Sequence, residues 1–172
     1  LRFIEAWKRA RIIVDTGGPQ DSEHIIDSLL EEGLRAQDIS HVICTHGHSD
    51  HVGNNNLFWD AAFIVSHDIS KGDLYHFHDF RSGESYSIDE HVEVMPTPGH
   101  TSQDISVIVR TKEGVVAITG DLFENEQDLV DEELWRASSE LPREQEKSRA
   151  RVLGIADFIV PGHGDRFRVK KA

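Results

Sequence analysis

Apolar residues along this chain come in short β-branched runs, most of them closed at once by Gly, Pro, Asp or His, and the longer stretches between runs carry helical spacing. Residues 1–6 and 11–14 read as two strands of an antiparallel pair. Their link, Trp7-Lys8-Arg9-Ala10, lacks the Gly, Asn or Asp of a tight hairpin, so a longer connection is expected to be missing there. Asp21 or Ser22 caps a helix running to about residue 32, with Ile25, Ile26, Leu29 and Leu30 as its buried stripe and Gly33 at its end. A strand over residues 39–44, a short helix over 53–59 and a buried strand over 62–66 follow. Residues 71–87 read as a polar loop carrying Tyr75, His76, Phe77, His78 and Phe80, a composition that suits either a substrate-flanking loop or an irregular surface excursion. Strands are expected at 92–95, 105–109 and 115–119, with Lys112-Glu113-Gly114 turning the last two. Helices over 129–138 and 142–153, the second with Pro142 in its first turn, precede a final strand at 158–160.

Strands alternating with helices in this way predict an α+β fold: two mixed sheets with helices on the outer faces, a four-layer αβ/βα sandwich. The 172 residues suffice for one domain with a substantial core. The chain opens on Leu1, which suggests a trimmed or incomplete amino terminus. No apolar run is long enough for a signal or a membrane span, so no membrane partner is expected. The single cysteine, Cys44, sits in a strand run and reads as a small buried residue; with no internal disulfide, the composition fits a reducing compartment. The formal charge of −13 works against non-specific binding to nucleic acid or anionic membrane. Much of the acid is concentrated in residues 124–133, which read as a solvated helix face.

One stretch stands apart. Thr45-His46-Gly47-His48-Ser49-Asp50-His51 follows directly on the strand at 39–44 and packs three imidazoles and a carboxylate into six residues. Imidazole with carboxylate, and no thiolate, suits a catalytic first-row divalent ion, zinc above all, with iron or manganese as alternatives. His46 and His48, two residues apart, point the same way off an extended segment, and Asp50 with His51 can face a second ion around the turn. Three further strand ends carry the same signature of Gly or Pro beside a metal-competent group: His100 in Pro98-Gly99-His100-Thr101, Asp121 after Gly120, and His163 in Pro161-Gly162-His163-Gly164. Five of the eleven histidines fall at these turns, which is what singles them out from His24, His41, His67 and His91, read as structural. Asp15, at the end of the first apolar run, is either a turn residue or a carboxylate that buttresses the metal loop. Thr45 and Thr101 are candidates to orient ligands by hydrogen bonds, or simply to satisfy their turns.

The ordered set of Asp15 in its Asp-Thr-Gly context, Thr-His-x-His-x-Asp-His, Pro-Gly-His, Gly-Asp and Pro-Gly-His-Gly resembles the metallo-β-lactamase superfamily over essentially the whole chain. That resemblance implies one ion on His46, His48 and His100, another on Asp50, His51 and His163, and Asp121 bridging them. It implies a dinuclear hydrolase in which a hydroxide shared by the two ions attacks the substrate, with Asp50 placed to orient the nucleophile and take its proton. Asp121 stands where the broad-spectrum zinc β-lactamases have cysteine, and His48 where flavodiiron proteins have glutamate. Only nine residues follow His163, too few for the carboxy-terminal helical domain of glyoxalase II. Ser66-His67-Asp68, Asp104-Ile105-Ser106-Val107 and Phe167-Arg168-Val169 bring the chain nearest to an animal group of the superfamily. Likeness to that group implies an RNA endonuclease acting at the 3′ end of histone pre-mRNA, dimeric, in the cytosol and nucleus.

Three other readings use the same residues. A small-molecule acyl hydrolase, acting on a thioester or lactone, would be less troubled by the negative charge. A persulfide dioxygenase would hold a single iron on a subset of the ligands, which the full seven-residue set disfavours. A non-catalytic metal-binding protein would have little use for the complete set. For RNA, Arg143, Lys147, Arg149, Arg151, Arg166, Arg168, Lys170 and Lys171 are the cations that could gather along one edge.

Overall fold

The computed structural model describes residues 10–170. In chain order these form β1 (Ile12–Val14), α1 (Ser22–Glu31), β2 (His41–Cys44), α2 (Ser49–Val52), β3 (Ala62–Val65), β4 (Asp68–Lys71), β5 (Leu74–His76), β6 (Tyr86–Ser87), β7 (Val92–Pro96), β8 (Ile105–Thr111), β9 (Gly114–Gly120), α3 (Glu133–Arg136), α4 (Pro142–Ile155), β10 (Phe158–Pro161) and β11 (Phe167–Arg168). A five-stranded sheet has the order β1-β2-β3-β4-β5, and a six-stranded sheet the order β11-β10-β9-β8-β7-β6. Both are mixed: β1, β2 and β3 run parallel, as do β9 and β10, and the remaining neighbours are antiparallel.

The layering follows from the two-residue alternation of side chains along each strand. Ile43 and Ile64 from the first sheet meet Val94, Ile105 and Val107 from the second in a cluster between the sheets. Their neighbours Val42 and Cys44 face the other way, onto Ile25 and Leu29 of α1. On the second sheet Met95, Ile108, Ala117 and Ile159 face Val152 of α4 and Ala156 just beyond its end. Helix, sheet, sheet and helix therefore stack in that order, the α+β sandwich expected.

Several details differ from the pattern read in the sequence. The proposed first strand, residues 1–6, and its link at Trp7 lie outside the described residues; β1 itself pairs in parallel with β2. In α1 only the line Ile25–Leu29 reaches the sheet, while Ile26 and Leu30 are 41% and 57% exposed, because a ten-residue helix on so narrow a sheet presents one line of side chains to it. The helix expected at 53–59 is a 3₁₀ turn over Asn55–Phe58, and α2 starts earlier, within the histidine run. Residues 71–87 are not an irregular loop: they hold the end of β4, all of β5 and β6, and a 3₁₀ turn at Phe80–Ser82. The helix expected at 129–138 splits into a 3₁₀ turn at Glu126–Leu129 and the short α3. β11, read as tail, adds a strand to the second sheet by pairing with β10.

The acidic run is not uniformly solvated either. Asp128 is fully buried and its carboxylate takes a 2.9 Å hydrogen bond from Arg149, whose guanidinium also lies 4.1 Å over the Phe123 ring. Arg149 is thus committed to the core and is not part of any basic edge. Lys147 pairs with Glu144, and Arg166 with Glu113. Among the described residues no helix is long and apolar enough to cross a membrane.

Candidate metal centre

The carboxyl ends of the parallel strands point to one edge of the sandwich, where an open α/β sheet ordinarily binds its ligand. β2 ends at Cys44 and hands the chain to Thr45 and His46; β9 ends at Gly120 before Asp121; β10 ends at Pro161 before His163. β7 brings His100 to the same place through the turn after Pro96. The two sheets are stitched here by the Ile105 amide, which donates to the Thr45 carbonyl at 2.9 Å.

The turns need their glycines for room. Gly120 has φ +50°, and a side chain on it would run into Thr45; a side chain on Gly162 would run into the Asp121 carboxylate. Both glycines thereby let backbone close up behind the ligand cluster.

The donors fall into two adjoining groups, each within 4.8 Å from atom to atom: His46, His48, His100 and Asp121, and Asp50, His51 and His163. In the first, His46 Nε2 and His100 Nε2 lie 2.8 Å and 3.1 Å from His48 Nδ1, and Asp121 Oδ2 is 3.4 Å from His100 Nε2. In the second, His163 Nε2 and His51 Nε2 lie 3.7 Å and 3.9 Å from Asp50 Oδ2. Asp121 touches both, with Oδ1 3.2 Å from His51 Nε2 and Oδ2 3.4 Å from His163 Nε2. All seven residues singled out in the sequence converge.

Asp15 supports the cluster from behind. Its carboxylate accepts from the Thr45 amide at 2.7 Å and the Thr45 hydroxyl at 3.0 Å, and its Oδ2 is 2.9 Å from His51 Nδ1. Asp15 holds φ +58°, a left-handed conformation that Asp tolerates better than most residues. The Thr45 hydroxyl, having given its proton to Asp15, accepts from His46 Nδ1 at 3.2 Å. In that arrangement Nδ1 of both His46 and His51 is taken up by its partner, and Nε2 of each is turned into the cluster. Thr101 does something else: its amide and hydroxyl both donate to the buried Asp104, closing the His100 turn without reaching a ligand atom.

The electrostatics divide the group. Burial, reinforced by the neighbouring His51, pushes His46 down to about 3, and burial lowers His100 as well, so both are neutral imidazoles. His51 goes the opposite way: burial opposes its charge, yet Asp121 and Asp15 outweigh that and raise it to about 10. Asp121, despite burial, is held down at about 2 by His51 and the surrounding imidazoles. Without another cation, His51 is thus the proton carrier between two carboxylates. The buried His51 Nε2 and Asp121 Oδ1 face each other at 3.2 Å, and the buried His100 Nδ1 has no hydrogen-bond partner. Two neutral imidazoles, and a carboxylate and an imidazole nitrogen buried against each other, are donors that divalent ions satisfy. The cluster suits a dinuclear metal site.

One nearby residue carried no signal in the sequence. Glu124, three residues beyond Asp121, lies at the start of the acidic run and was indistinguishable there from solvated carboxylates. It reaches 3.9 Å from His163 Nε2, and burial together with Asp121 pushes its carboxyl up.

The family model described as the metallo-β-lactamase superfamily matches residues 8–163, and the chain belongs to that superfamily. Among characterised sequences it is similar to metallo-β-lactamase domain-containing protein 1 of animals. It is 49% identical to the Xenopus laevis protein over 93% of this chain and 69% of that one, and 46% identical to the Homo sapiens protein over 96% of this chain and 62% of that one. The chain thus spans roughly two thirds of these relatives. Among solved structures, a Thermotoga maritima protein of metallo-β-lactamase type superposes with TM-score 0.68 at 24% identity, covering 95% of this chain and 85% of that one. An N-acyl homoserine lactone hydrolase, with product at its catalytic metal centre, superposes with TM-score 0.65 at 19% identity over 91% of this chain and 78% of that one. At these identities the structural likeness speaks for the fold.

Proposed function

We propose that this protein is a dinuclear metal-dependent hydrolase that cleaves RNA phosphodiesters, with the 3′ ends of histone pre-mRNA as its substrate. The convergence of seven nitrogen and oxygen donors on two adjoining positions is the observation that carries the hydrolase reading. His46, His48 and His100 would hold the first ion, Asp50, His51 and His163 the second, and Asp121 both. When bound, the ions, zinc by the balance of imidazole and carboxylate, acidify a water and polarise the attacked phosphoryl or carbonyl oxygen. The chain's own groups do the rest. Asp15 and Thr45 hold the tautomers of His51 and His46, and Asp50, half-exposed at the mouth, takes the proton of the attacking water.

The RNA reading draws on the motif likeness to the animal group and on one feature of the first sheet. β4 leaves the ligand edge and β5 returns to it, so Phe77, 86% exposed, emerges three strands from β2, roughly 14 Å along the sheet. An exposed ring there, with Tyr75 beside it, can stack on a base. By the same likeness the protein would act as a homodimer in the cytosol and nucleus.

A second reading, hydrolysis of a small acyl compound, is favoured by the charge of −13 and by the pairing of Lys147, Arg149 and Arg166, three of the cations that RNA would need. Metal-loaded protein incubated with single-stranded RNA, and separately with a lactone and a thioester, decides between the two. RNA fragments that disappear with Asp50→Ala are the expected result. Lactone or thioester turnover with intact RNA would move the assignment to the acyl reading. A single bound iron with oxygen uptake on a persulfide would remove both.

A further inference from the structure

We propose that Glu124 contributes a carboxylate oxygen to the second ion position, making that position oxygen-rich and distinct in metal preference from the first. The inference rests on the dinuclear reading and adds a donor to it. Asp121, Glu124 and His163 form a third group of donors within 4.8 Å of one another, sharing two members with the groups already described.

Three observations fix the role of Glu124. Its backbone is held on both sides: the amide donates to Asp128 Oδ2 at 2.8 Å, and the carbonyl accepts from the His163 amide at 2.9 Å. The segments bearing Glu124 and His163 are therefore in register with each other. The side chain is then aimed. Ser138 donates its hydroxyl to Oε1 at 2.9 Å, and the other oxygen, Oε2, is the one turned to His163 Nε2 at 3.9 Å. Finally, no Lys or Arg among the described residues pairs with this carboxylate, although it is only 20% exposed and stands beside Asp121. A part-buried carboxylate next to another, with a hydroxyl and an imidazole but no Lys or Arg beside it, is costly unless a cation sits between them.

The two ion positions then differ in chemistry. The first is three imidazoles and a shared carboxylate. The second has Asp50, Asp121 and Glu124 beside His51 and His163. Imidazole favours zinc, whereas carboxylates favour harder ions such as manganese. Glu124 should therefore strengthen manganese at the second position more than zinc.

Titration of metal-free protein with zinc, and separately with manganese, in competition with a chromophoric chelator tests this without recourse to activity. Wild type should take up two ions of different affinity. In Glu124→Gln the tighter ion should be unchanged and the weaker one should lose about 10- to 100-fold, more for manganese than for zinc. Ser138→Ala, which keeps the carboxylate but frees it, should shift the weaker ion in the same direction by less than about tenfold. An unchanged second affinity in Glu124→Gln, or equal weakening of both ions, overturns the proposal. Should Glu124→Gln fail to fold, an unchanged second affinity in Ser138→Ala overturns it instead. If wild type takes up only one ion, the dinuclear reading itself falls, a result seen before any substitution is made.

Discussion

The two halves of the donor cluster are built differently. His46, His100 and Asp121 are at most 7% exposed, and Asp121 follows directly on β9. Asp50 and His163 are 53% and 45% exposed, and Asp50 lies in a four-residue helix. The first half is mostly buried, with His48 alone exposed, and mostly nitrogen; the second, with His51 alone buried, opens to solvent and carries relatively more oxygen. A dry position with fixed imidazoles suits tight retention of an ion, and a wet one suits exchange of water and entry of substrate. By this contrast one ion would be held the more firmly and the other would stand the more open to substrate.

Asp121 belongs to both halves, so removing it should erase the contrast. Asp121→Ala is expected to lose both ions and to cut hydrolysis by well over the roughly hundredfold typical of a supporting residue, read by metal content and turnover together. Asp50→Ala sharpens the contrast instead. The tight ion should stay, while turnover falls by about 10²–10⁴, the range for a positioned proton acceptor; loss of both ions would show that the halves are not separable. Asp15→Ala acts from behind, where His51 Nδ1 and the Thr45 hydroxyl lose their partner. Metal affinity should drop about 10- to 100-fold, measured by chelator competition, with turnover recovered at high metal. The smallest effect concerns the His100 turn. Burial pushes Asp104 up to about 7 from an ordinary 3.8, against the pull of its two bonds from Thr101. A raised folded-state value means that the protonated form favours folding. That contribution is complete below about pH 4 and is lost as pH rises toward 7. Urea unfolding of metal-free protein should show wild type losing on the order of 1 kcal/mol or more relative to Asp104→Asn between pH 4 and 7.

The cluster could be found in the sequence because its ligands sit where apolar runs stop against Gly or Pro, so strand end and metal donor are marked by the same few residues. The sandwich followed from the alternation of those runs. What escaped notice lacked such a mark. β5 is exposed along its whole length, so it shows none of the in-and-out alternation by which a strand is recognised. Asp128 and Arg149 are 21 residues apart and look like any surface charges until the fold buries them against each other. Glu124 is the same case: nothing local separates it from Glu126 or Glu132, and only the approach of β10 gives it His163 as a neighbour. Asp15 was ambiguous for the related reason that its partners Thr45 and His51 lie 30 and 36 residues away.

The His46, His48 and His51 imidazoles come from one sheet and His100, Asp121 and His163 from the other. Ions held among them would clasp the two β-layers like a rivet through one rim of the sandwich. A chain starved of metal would be expected to gape from the riveted rim first, so the supply of divalent ions would govern how long each molecule survives as well as how fast it works.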